Sequence, residues 1–203
     1  MPSVAIRKYF DATENRKIRD DLLFAVENVE GERTAVDCGC GAGADINYLA
    51  SVGFSVHGFD IEDDSVSRCA LRFQDKKNVC ISKSSFEDFI FPSASLVVAD
   101  ASLFFCAKRL FPLVWGNIYQ CLIPGGIFCG SFLGVEDTMA SSEYNSDDFW
   151  PEVSAFEEAG IKLLFSNYQI LRFTVHMSSG VTPTGEAHDW HIFSVVAKKP
   201  IKP

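Results

Sequence analysis

Along the first two thirds of the chain, short apolar runs alternate with stretches in which apolar residues recur at helical spacing. Apolar positions at helical spacing over residues 14–29, closed by Gly31, predict the first helix. Short apolar runs bounded by turn residues predict strands further along the chain. The predicted strands are at 34–37, 54–59, 79–82, 95–99 and 127–133, and the predicted helices are at 44–52, 62–73 and 111–121.

Strands that alternate with helices favour a doubly wound, mostly parallel sheet, which binds its ligands at the carboxyl ends of the strands. The pattern changes after Gly134, where a polar, irregular stretch at 135–146 precedes a predicted amphipathic helix at 147–159. Two long strands are then predicted at 161–175 and 191–198. The Gly/Pro/Thr loop between them is too short for a crossover helix, so we expect the two strands to pair antiparallel.

Length and charge narrow the class of protein. The chain has 203 residues, 47% of them hydrophobic, and lacks internal repeats and linkers, so we expect one domain over residues 1–203. The 18 basic and 27 acidic residues give a net charge of −9, which disfavours nucleic acid as a partner. With no signal sequence and no window near ~18 continuous apolar residues, we expect a soluble cytoplasmic protein that does not bind membranes.

Cysteine usage favours a reduced protein without a metal. The seven cysteines are an odd number and lie mostly in apolar stretches, which is typical of reduced core thiols. Cys38 and Cys40 form a C-x-C pair, and no second Cys/His pair follows at ligand spacing. We therefore predict no metal site.

The segment VDCGCGAGAD, at residues 36–45, contains the strongest candidate site. Gly39-x-Gly41-x-x-Ala44 fits the dinucleotide fingerprint, and Asp60 follows about 20 residues later, where an acid that binds ribose belongs. Asp37, however, ends the first predicted strand where a dinucleotide places its pyrophosphate, and its carboxylate would repel that anion. A ligand with an adenosine, an ammonium group and a sulfonium but no phosphate suits this carboxylate. The pattern therefore favours S-adenosyl-L-methionine, with glycines that let the main chain approach it closely.

Five segments resemble the class I S-adenosylmethionine-dependent methyltransferases. They are VDCGCGAG (36–43), VHGFD (56–60), SSFEDF (84–89), LVVADASLFF (96–105) and LIPGGIFCGSF (122–132). The C-terminal pair of strands and the ending GEAHDWHIFSVVAKKP are most similar to small bacterial methyltransferases of the tellurite-resistance group. The resemblance implies a Rossmann-like, seven-stranded, mostly parallel sheet with an antiparallel C-terminal hairpin and helices on both faces. It also implies an N-terminal helix and possible lid (1–30), a cofactor-binding core (31–134) and a substrate-side part (135–203).

The resemblance also implies roles for individual residues. Asp37 would support the turn amides or the cofactor's amino group, Asp60 would take the ribose hydroxyls, and Ile61 would pack on the adenine. Ser85 stands where many relatives have an aspartate, so hydroxyl and main-chain contacts would hold the adenine, with Glu87 or Asp88 as alternatives. The implied cofactor-binding set is Asp37, Gly39, Cys40, Gly41, Gly43, Asp60, Ile61, Ser85, Phe86 and Asp100.

Methyl transfer requires in-line positioning of the methyl group and the acceptor, and a catalytic base only when the acceptor must lose a proton. The candidates are Asp100, which could instead cap the following turn, and His188 or His191 in the last strand. Strand alternation places His188 and His191 on opposite faces, so at most one faces the pocket. Other side chains have two interpretations each. Five aromatic residues either line an acceptor pocket or pack in the core: Phe104, Phe105, Trp115, Phe149 and Trp150. The N-terminal pair Tyr9 and Phe10 forms either a lid over the cofactor or a flexible tail.

The predicted function is transfer of a methyl group from S-adenosyl-L-methionine to a small molecule or an inorganic oxyanion, by a monomer or homodimer. One alternative is an NAD-dependent oxidoreductase that uses the G-x-G-x-x-A turn, although Asp37 and the antiparallel hairpin count against it. A second alternative is a binding subunit that keeps the methyltransferase fold without catalysis.

Overall fold

The computed structural model describes residues 4–141, 153–182 and 185–201. The described residues form an eight-stranded sheet with helices on both faces. The strands are β1 (Thr34–Cys38), β2 (Ser55–Asp60), β3 (Val79–Lys83), β4 (Ala94–Ala99), β5 (Leu122–Gly134), β6 (Ala155–Phe156), β7 (Gln169–Val181) and β8 (Ala187–Lys198). The helices are α1 (Val4–Thr13), α2 (Asp20–Glu27), α3 (Ala44–Ser51), α4 (Asp63–Arg72), α5 (Phe111–Cys121) and α6 (Glu158–Leu164).

Seven of the strands lie in the order β3-β2-β1-β4-β5-β8-β7. The first five are parallel, with Asp37 of β1 opposite Gly58 of β2 and Val98 of β4. Strand β8 is antiparallel to both β5 and β7. The mostly parallel sheet with an antiparallel C-terminal hairpin is thus confirmed, and the two-residue β6, which pairs with β5, is added to the seven expected strands.

Two apolar layers cover the sheet. Helices α2, α3 and α4 bury side chains such as Leu22, Ile46 and Leu49 on one face. On the other face, α5 and α6 pack against an aromatic cluster in which Trp115 makes an edge contact with Phe128 at 5.1 Å between ring centroids. Burying each such large apolar side chain contributes about 1.5–3 kcal/mol, so these layers fix the helices on the sheet. The C-terminal edge of the parallel strands is left for a ligand.

The N-terminal and C-terminal helix predictions are partly wrong. The predicted helix at 14–29 begins only at Asp20, and a separate helix, α1, precedes it. The segment between them is rich in charged residues, and two of its arginines form ion pairs with the carboxylates of Asp45 and Asp100. Residues 147–152 of the predicted helix at 147–159 lie outside the described residues, and the described remainder forms β6 and only the first residues of α6.

The strand predicted at 161–175 is wrong at its start, because α6 continues to Leu164 and β7 begins at Gln169. The buried residues here recur at helical spacing, at Ile161, Phe165 and Tyr168. The spacing is not evident in the sequence, because neighbouring positions are also apolar and no clear turn residue ends the run. The expectation of core thiols holds for six cysteines, all free and buried, whereas Cys80 is exposed.

Candidate functional site

The glycine turn after β1 depends on backbone conformations that glycine adopts most readily. Gly39, Gly41 and Gly43 have φ of 70°, 52° and 79°. The amides of Gly39 and Cys40 both donate to the carbonyl of Phe59 at the end of β2, each at 2.9 Å. A Cβ on Gly39 would lie 2.7 Å from the Cβ of Ser102, so this position has no room for a side chain. The turn is therefore held against both neighbouring strand ends.

Gly43 has a different surrounding from the other two glycines. A Cβ there would lie 2.8 Å from the ring of Phe73 and 2.9 Å from the sulfur of Cys69. Gly43 is not among the residues that line the adjacent cavity. The structure thus places Gly43 where α3 packs against α4, and its small size serves this packing.

Asp60 joins the end of β2 to the glycine turn. Its Oδ2 accepts the amide of Gly41 at 2.9 Å, and its Oδ1 accepts the amide of Glu62 at 3.0 Å. Each carboxylate oxygen has a second lone pair, so one acceptor position per oxygen remains after these two bonds. Asp60 is nearly buried and lines the cavity. Its carboxylate is therefore fixed in position and can still accept hydrogen bonds from a ligand.

A cavity of about 260 Å³ lies at the carboxyl ends of β1, β2 and β4. It is slightly smaller than the ~300–1,000 Å³ usual for small-molecule sites. Nine of the ten residues predicted to bind a cofactor line it. These are Asp37, Gly39, Cys40, Gly41, Asp60, Ile61, Ser85, Phe86 and Asp100. The structure thus brings together residues from four separate segments of the chain.

One end of the cavity has the apolar side chains of Ile61 and Phe86 as walls. Ile61 is 46% exposed, and Phe86 is held by an edge contact with Phe59 at 5.7 Å between ring centroids. Ser85 Oγ lies 2.9 Å from Asp88 Oδ2 and accepts the amide of Asp88 at 3.3 Å. The hydroxyl of Ser85 is thus engaged outside the cavity, so its main chain is the part more available to a ligand.

The other end of the cavity is a cluster of acids and arginines that the sequence interpretation missed in part. Asp37, Asp45 and Asp100 line it together with Arg16. Arg16 Nη2 lies 2.6 Å from Asp45 Oδ2 and 3.4 Å from Asp100 Oδ2, and Arg19 forms an ion pair with Asp100 Oδ1. Arg16, Arg19 and Asp45 carry no motif signal in the sequence, because only the fold brings them to the cavity.

Burial dominates the electrostatics of these acids. It raises the pKa of the Asp37 carboxyl well above its usual range, the nearby Asp45 raises it further, and Arg16 opposes both effects. Burial also raises the pKa of Asp45, with Arg16 as the main opposing charge. The cavity therefore favours a cation that can stabilise ionised carboxylates.

Asp100 is positioned by an unusual backbone. The next residue, Ala101, has φ of 47°, the only non-glycine residue with positive φ in the described ranges. Ser131 Oγ accepts the amide of Ala101 at 2.8 Å and donates to Asp100 Oδ1, also at 2.8 Å. Such a conformation costs of order 1–3 kcal/mol and is found mainly at functional sites. Ser131 and the arginines thus hold Asp100 toward the cavity.

Helix α1 forms part of the cavity wall. Ile6, Tyr9 and Phe10 line the cavity, and Phe10 is buried beside the glycine turn, with its ring 3.7 Å from the position of a Cβ on Gly41. Arg72 Nη1 donates to the carbonyls of Glu14 and Ala42, each at 2.9 Å, which ties the end of this segment to the turn. The N-terminal segment thus closes one side of the cavity in this structure.

The two candidate histidines lie outside the cavity. His188 Nε2 lies 2.9 Å from Asp137 Oδ1, and His191 Nδ1 accepts the amide of Glu136 at 3.1 Å. The buried Asp137 also accepts the amide of His191 through Oδ2 at 2.9 Å. Both histidines therefore help to hold the segment after β5 against the start of β8.

The candidate aromatic residues divide between core and cavity. Phe105 lines the cavity, Phe104 is buried, and Trp115 packs within the core cluster. Phe149 and Trp150 lie outside the described residues. Within the described ranges, no three His, Cys, Asp or Glu side chains converge as metal ligands would. No helix there combines the length and apolar character that a membrane-spanning helix requires.

Comparison with known proteins identifies the domain. Residues 36–130 match the family model of a methyltransferase domain. This stretch, just under half of the chain, is thus a methyltransferase domain with the class I, S-adenosyl-L-methionine-dependent fold. Its cofactor is S-adenosyl-L-methionine. A comparison with curated protein sequences gives no match.

Solved structures share the fold of this chain. TehB from Haemophilus influenzae superposes with a TM-score of 0.74 and 18% identity, over 96% of this chain and 67% of that one. The N-methyltransferase NodS from Bradyrhizobium japonicum WM9, in complex with S-adenosyl-l-homocysteine, gives 0.71 and 14%, over 97% of each chain. The 1,6-didemethyltoxoflavin-N1-methyltransferase from Burkholderia thailandensis, with 1,6-didemethyltoxoflavin and S-adenosylhomocysteine bound, gives 0.69 and 15%, over 97% and 88%.

Proposed function

We propose that this methyltransferase transfers the methyl group of S-adenosyl-L-methionine to a small molecule or an inorganic oxyanion by in-line displacement. The observation that carries the proposal is the cavity beside the glycine turn, with Asp60 at one position and three further carboxylates at the other end. An uncharged sugar diol and a cationic amino-acid part suit these two ends. Two of the structural relatives, NodS and the toxoflavin enzyme, are named as N-methyltransferases, and the second holds a small molecule.

The residues fit the adenosine part of the cofactor. The remaining acceptor positions of Asp60 suit the two ribose hydroxyls, since its other positions already hold the turn and the start of α4 in place. Ile61 and Phe86 offer apolar surfaces for the adenine, and the main chain of Ser85 can hydrogen-bond its edge. Gly39 has no side chain, because a Cβ there would meet Ser102, and it lines the cavity with its main chain alone.

The acid cluster fits the methionine part. Asp37, Asp45 and Asp100 favour the ammonium and sulfonium charges, and Arg16 can pair with the carboxylate. Arg16 now bridges Asp45 and Asp100, so the chain's own side chains neutralise part of the negative charge at this end before a ligand binds. The cation of the ligand would then compensate the carboxylates that Arg16 releases.

S-adenosyl-L-methionine supplies an activated methyl group on its sulfonium when bound. The chain contributes positioning and exclusion of water, because α1 and the glycine turn enclose the cavity. Asp100 is the candidate base for an acceptor that must lose a proton, since Ser131 and the arginines fix its carboxylate at the cavity. In this proposal residues 1–30 cover the cofactor, 31–134 bind it, and 135–203 contribute to the acceptor side.

Isothermal titration of the purified protein with S-adenosylhomocysteine tests the proposal, with NADH as the parallel ligand. We expect saturable binding of S-adenosylhomocysteine in the micromolar range and none of NADH. Binding of NADH alone would favour an oxidoreductase. Binding of S-adenosylhomocysteine without turnover across a broad panel of acceptors would favour a binding subunit.

A further inference from the structure

A second concavity, the hairpin groove, lies between the start of α2 and the β7–β8 hairpin. Its volume is about 780 Å³, within the range of sites that bind organic molecules. The pairs Thr174 with Ser194, His176 with Ile192, and Ser178 with Trp190 stand opposite one another in the two strands and all line the groove. The groove floor thus combines hydroxyl groups with one large aromatic ring.

The groove carries more positive charge than the rest of this acidic chain. Lys17, Arg19 and Arg172 line it against Asp20 and Asp21, in a protein whose net charge is −9. Arg172 Nη1 already pairs with Asp21 Oδ1 at 3.1 Å, and Lys17 Nζ lies 3.9 Å from Asp20. Arg19 is the cation that the acids of the groove leave unpaired, because its ion pair is with Asp100 on the cavity side.

Arg19 has one unused edge. Its Nε and Nη2 are buried and have no hydrogen-bond partner among the described residues, while Nη1 binds Asp100. Nε–H and Nη2–H point the same way along one side of a guanidinium, which is the edge that grips a carboxylate or phosphate with two parallel bonds. Leaving such donors buried without partners is unfavourable, so the partly exposed Arg19 side chain is expected to turn this edge toward an anion in the groove.

The ion pair between Arg19 and Asp100 lies between the groove and the cofactor cavity, so an acceptor atom reaches the methyl group only where these two side chains part. Arg19 lines the groove, and Asp100 lines the cavity. Ser131, which holds Asp100, stands opposite Ser194 of the groove in the β5–β8 ladder. A molecule anchored on Arg19 therefore lies beside the end of the cavity that suits the methionine part of the cofactor.

We propose that the hairpin groove is the acceptor site and that the acceptor is an organic molecule with a carboxylate or phosphate group beside a flat apolar part. The anion binds the free edge of Arg19, and the flat part packs on Trp190. The inference rests on the proposed methyl transfer, which it deepens by favouring an organic anion over an inorganic oxyanion. The size of the groove and the ring on its floor favour the organic molecule.

The test is titration calorimetry of the protein saturated with S-adenosylhomocysteine. Salicylate and phenyl phosphate are the anionic probes, salicylamide is the neutral counterpart of the first, and inorganic phosphate lacks the ring of the second. We expect both aromatic anions to bind about tenfold or more tightly than salicylamide, because hydrogen bonds to charged groups are the stronger ones. Phenyl phosphate should also bind more tightly than inorganic phosphate, because only the former reaches Trp190.

Variants locate the binding. Arg19→Gln should weaken both aromatic anions about tenfold or more, Arg19→Lys should restore part of the loss, and Trp190→Ala should weaken phenyl phosphate but not inorganic phosphate. Arg33→Gln removes the same charge at the amino end of β1, away from both the groove and the cavity, and should change none of these affinities.

Several results would overturn the inference: no saturable binding of either aromatic anion, equal binding of salicylamide, equal binding of inorganic phosphate, or an unchanged Arg19→Gln. The affinity for S-adenosylhomocysteine, measured in the same variants, separates the two proposals. If the wild-type protein did not bind S-adenosylhomocysteine, the cofactor site would be refuted. If Arg19→Gln kept this affinity but lost anion binding, the result would support the groove as a site separate from the cofactor site.

Discussion

Replacing Asp60 with alanine tests whether one carboxylate both supports the glycine turn and binds the cofactor. In the folded protein the change leaves the amides of Gly41 and Glu62 without their acceptor. An unsatisfied buried amide costs about 1–3 kcal/mol, and two near the lower limit give about 2 kcal/mol, since water in the cavity can reach them. At about 2–4 °C per kcal/mol for a chain of this size, Tm should fall by about 4–8 °C.

The same change should weaken cofactor binding more than it weakens the fold. Loss of two hydrogen bonds between a carboxylate and the ribose, at about 1.5 kcal/mol each, amounts to about 3 kcal/mol. This corresponds to roughly 100-fold in the dissociation constant of S-adenosylhomocysteine. Calorimetric titration and thermal denaturation followed by circular dichroism measure the two effects on the same samples.

Asp75→Ala is the matched control, because it removes the same charge from an exposed turn that does not line the cavity. It should leave both Tm and the affinity for S-adenosylhomocysteine unchanged. A folded Asp60→Ala protein whose affinity stays within about threefold of the wild type would refute the assignment of Asp60 to the ribose.

Three further predictions concern other parts of the molecule. Burial raises the pKa of Asp37 in the folded protein, so its contribution to stability is present at low pH and is lost as pH rises through the folded pKa. In Asp37→Asn, Tm measured over a pH series should therefore decline less, while S-adenosylhomocysteine should bind more weakly at neutral pH. Gly43→Ala should destabilise the fold by at least about 1–2 kcal/mol in urea denaturation, since its φ is 79° and its Cβ would meet Phe73; unchanged stability would contradict the packing role. Asp137→Asn should lower Tm, because Oδ1 and Oδ2 hold both His188 and His191, while the affinity for S-adenosylhomocysteine stays within about twofold.

The sheet could be predicted because its signals are local. Each parallel strand is a short apolar run with turn residues on either side, and α5 begins and ends as predicted at Phe111 and Cys121. The glycine turn could also be predicted, since its positive φ angles demand particular residues at particular positions. Where helix and strand patterns overlap, as at residues 161–168, the sequence favoured the wrong element.

The acid and arginine cluster shows what local patterns omit. Asp45 has the sequence context of an ordinary acid in the first turn of a helix, and Arg16 and Arg19 that of solvated charges. They meet because α1 and the segment after it fold back over the strand ends, a long-range event without a periodic signal. The same reasoning applies to His188, whose partner Asp137 lies 51 residues away.

The cluster of three carboxylates and two arginines has a consequence for turnover. Asp37, Asp45 and Asp100 exceed Arg16 and Arg19 by one charge whenever all are ionised. In the proposed site the substrate form of the cofactor brings a positive sulfur to this surplus, whereas the product form has an uncharged thioether there. The attraction that helps to load the enzyme thus disappears with the reaction itself, so the spent cofactor is held less firmly than the fresh one. When these acids are ionised, the surplus charge therefore favours release of the product form of the cofactor over release of the unreacted form.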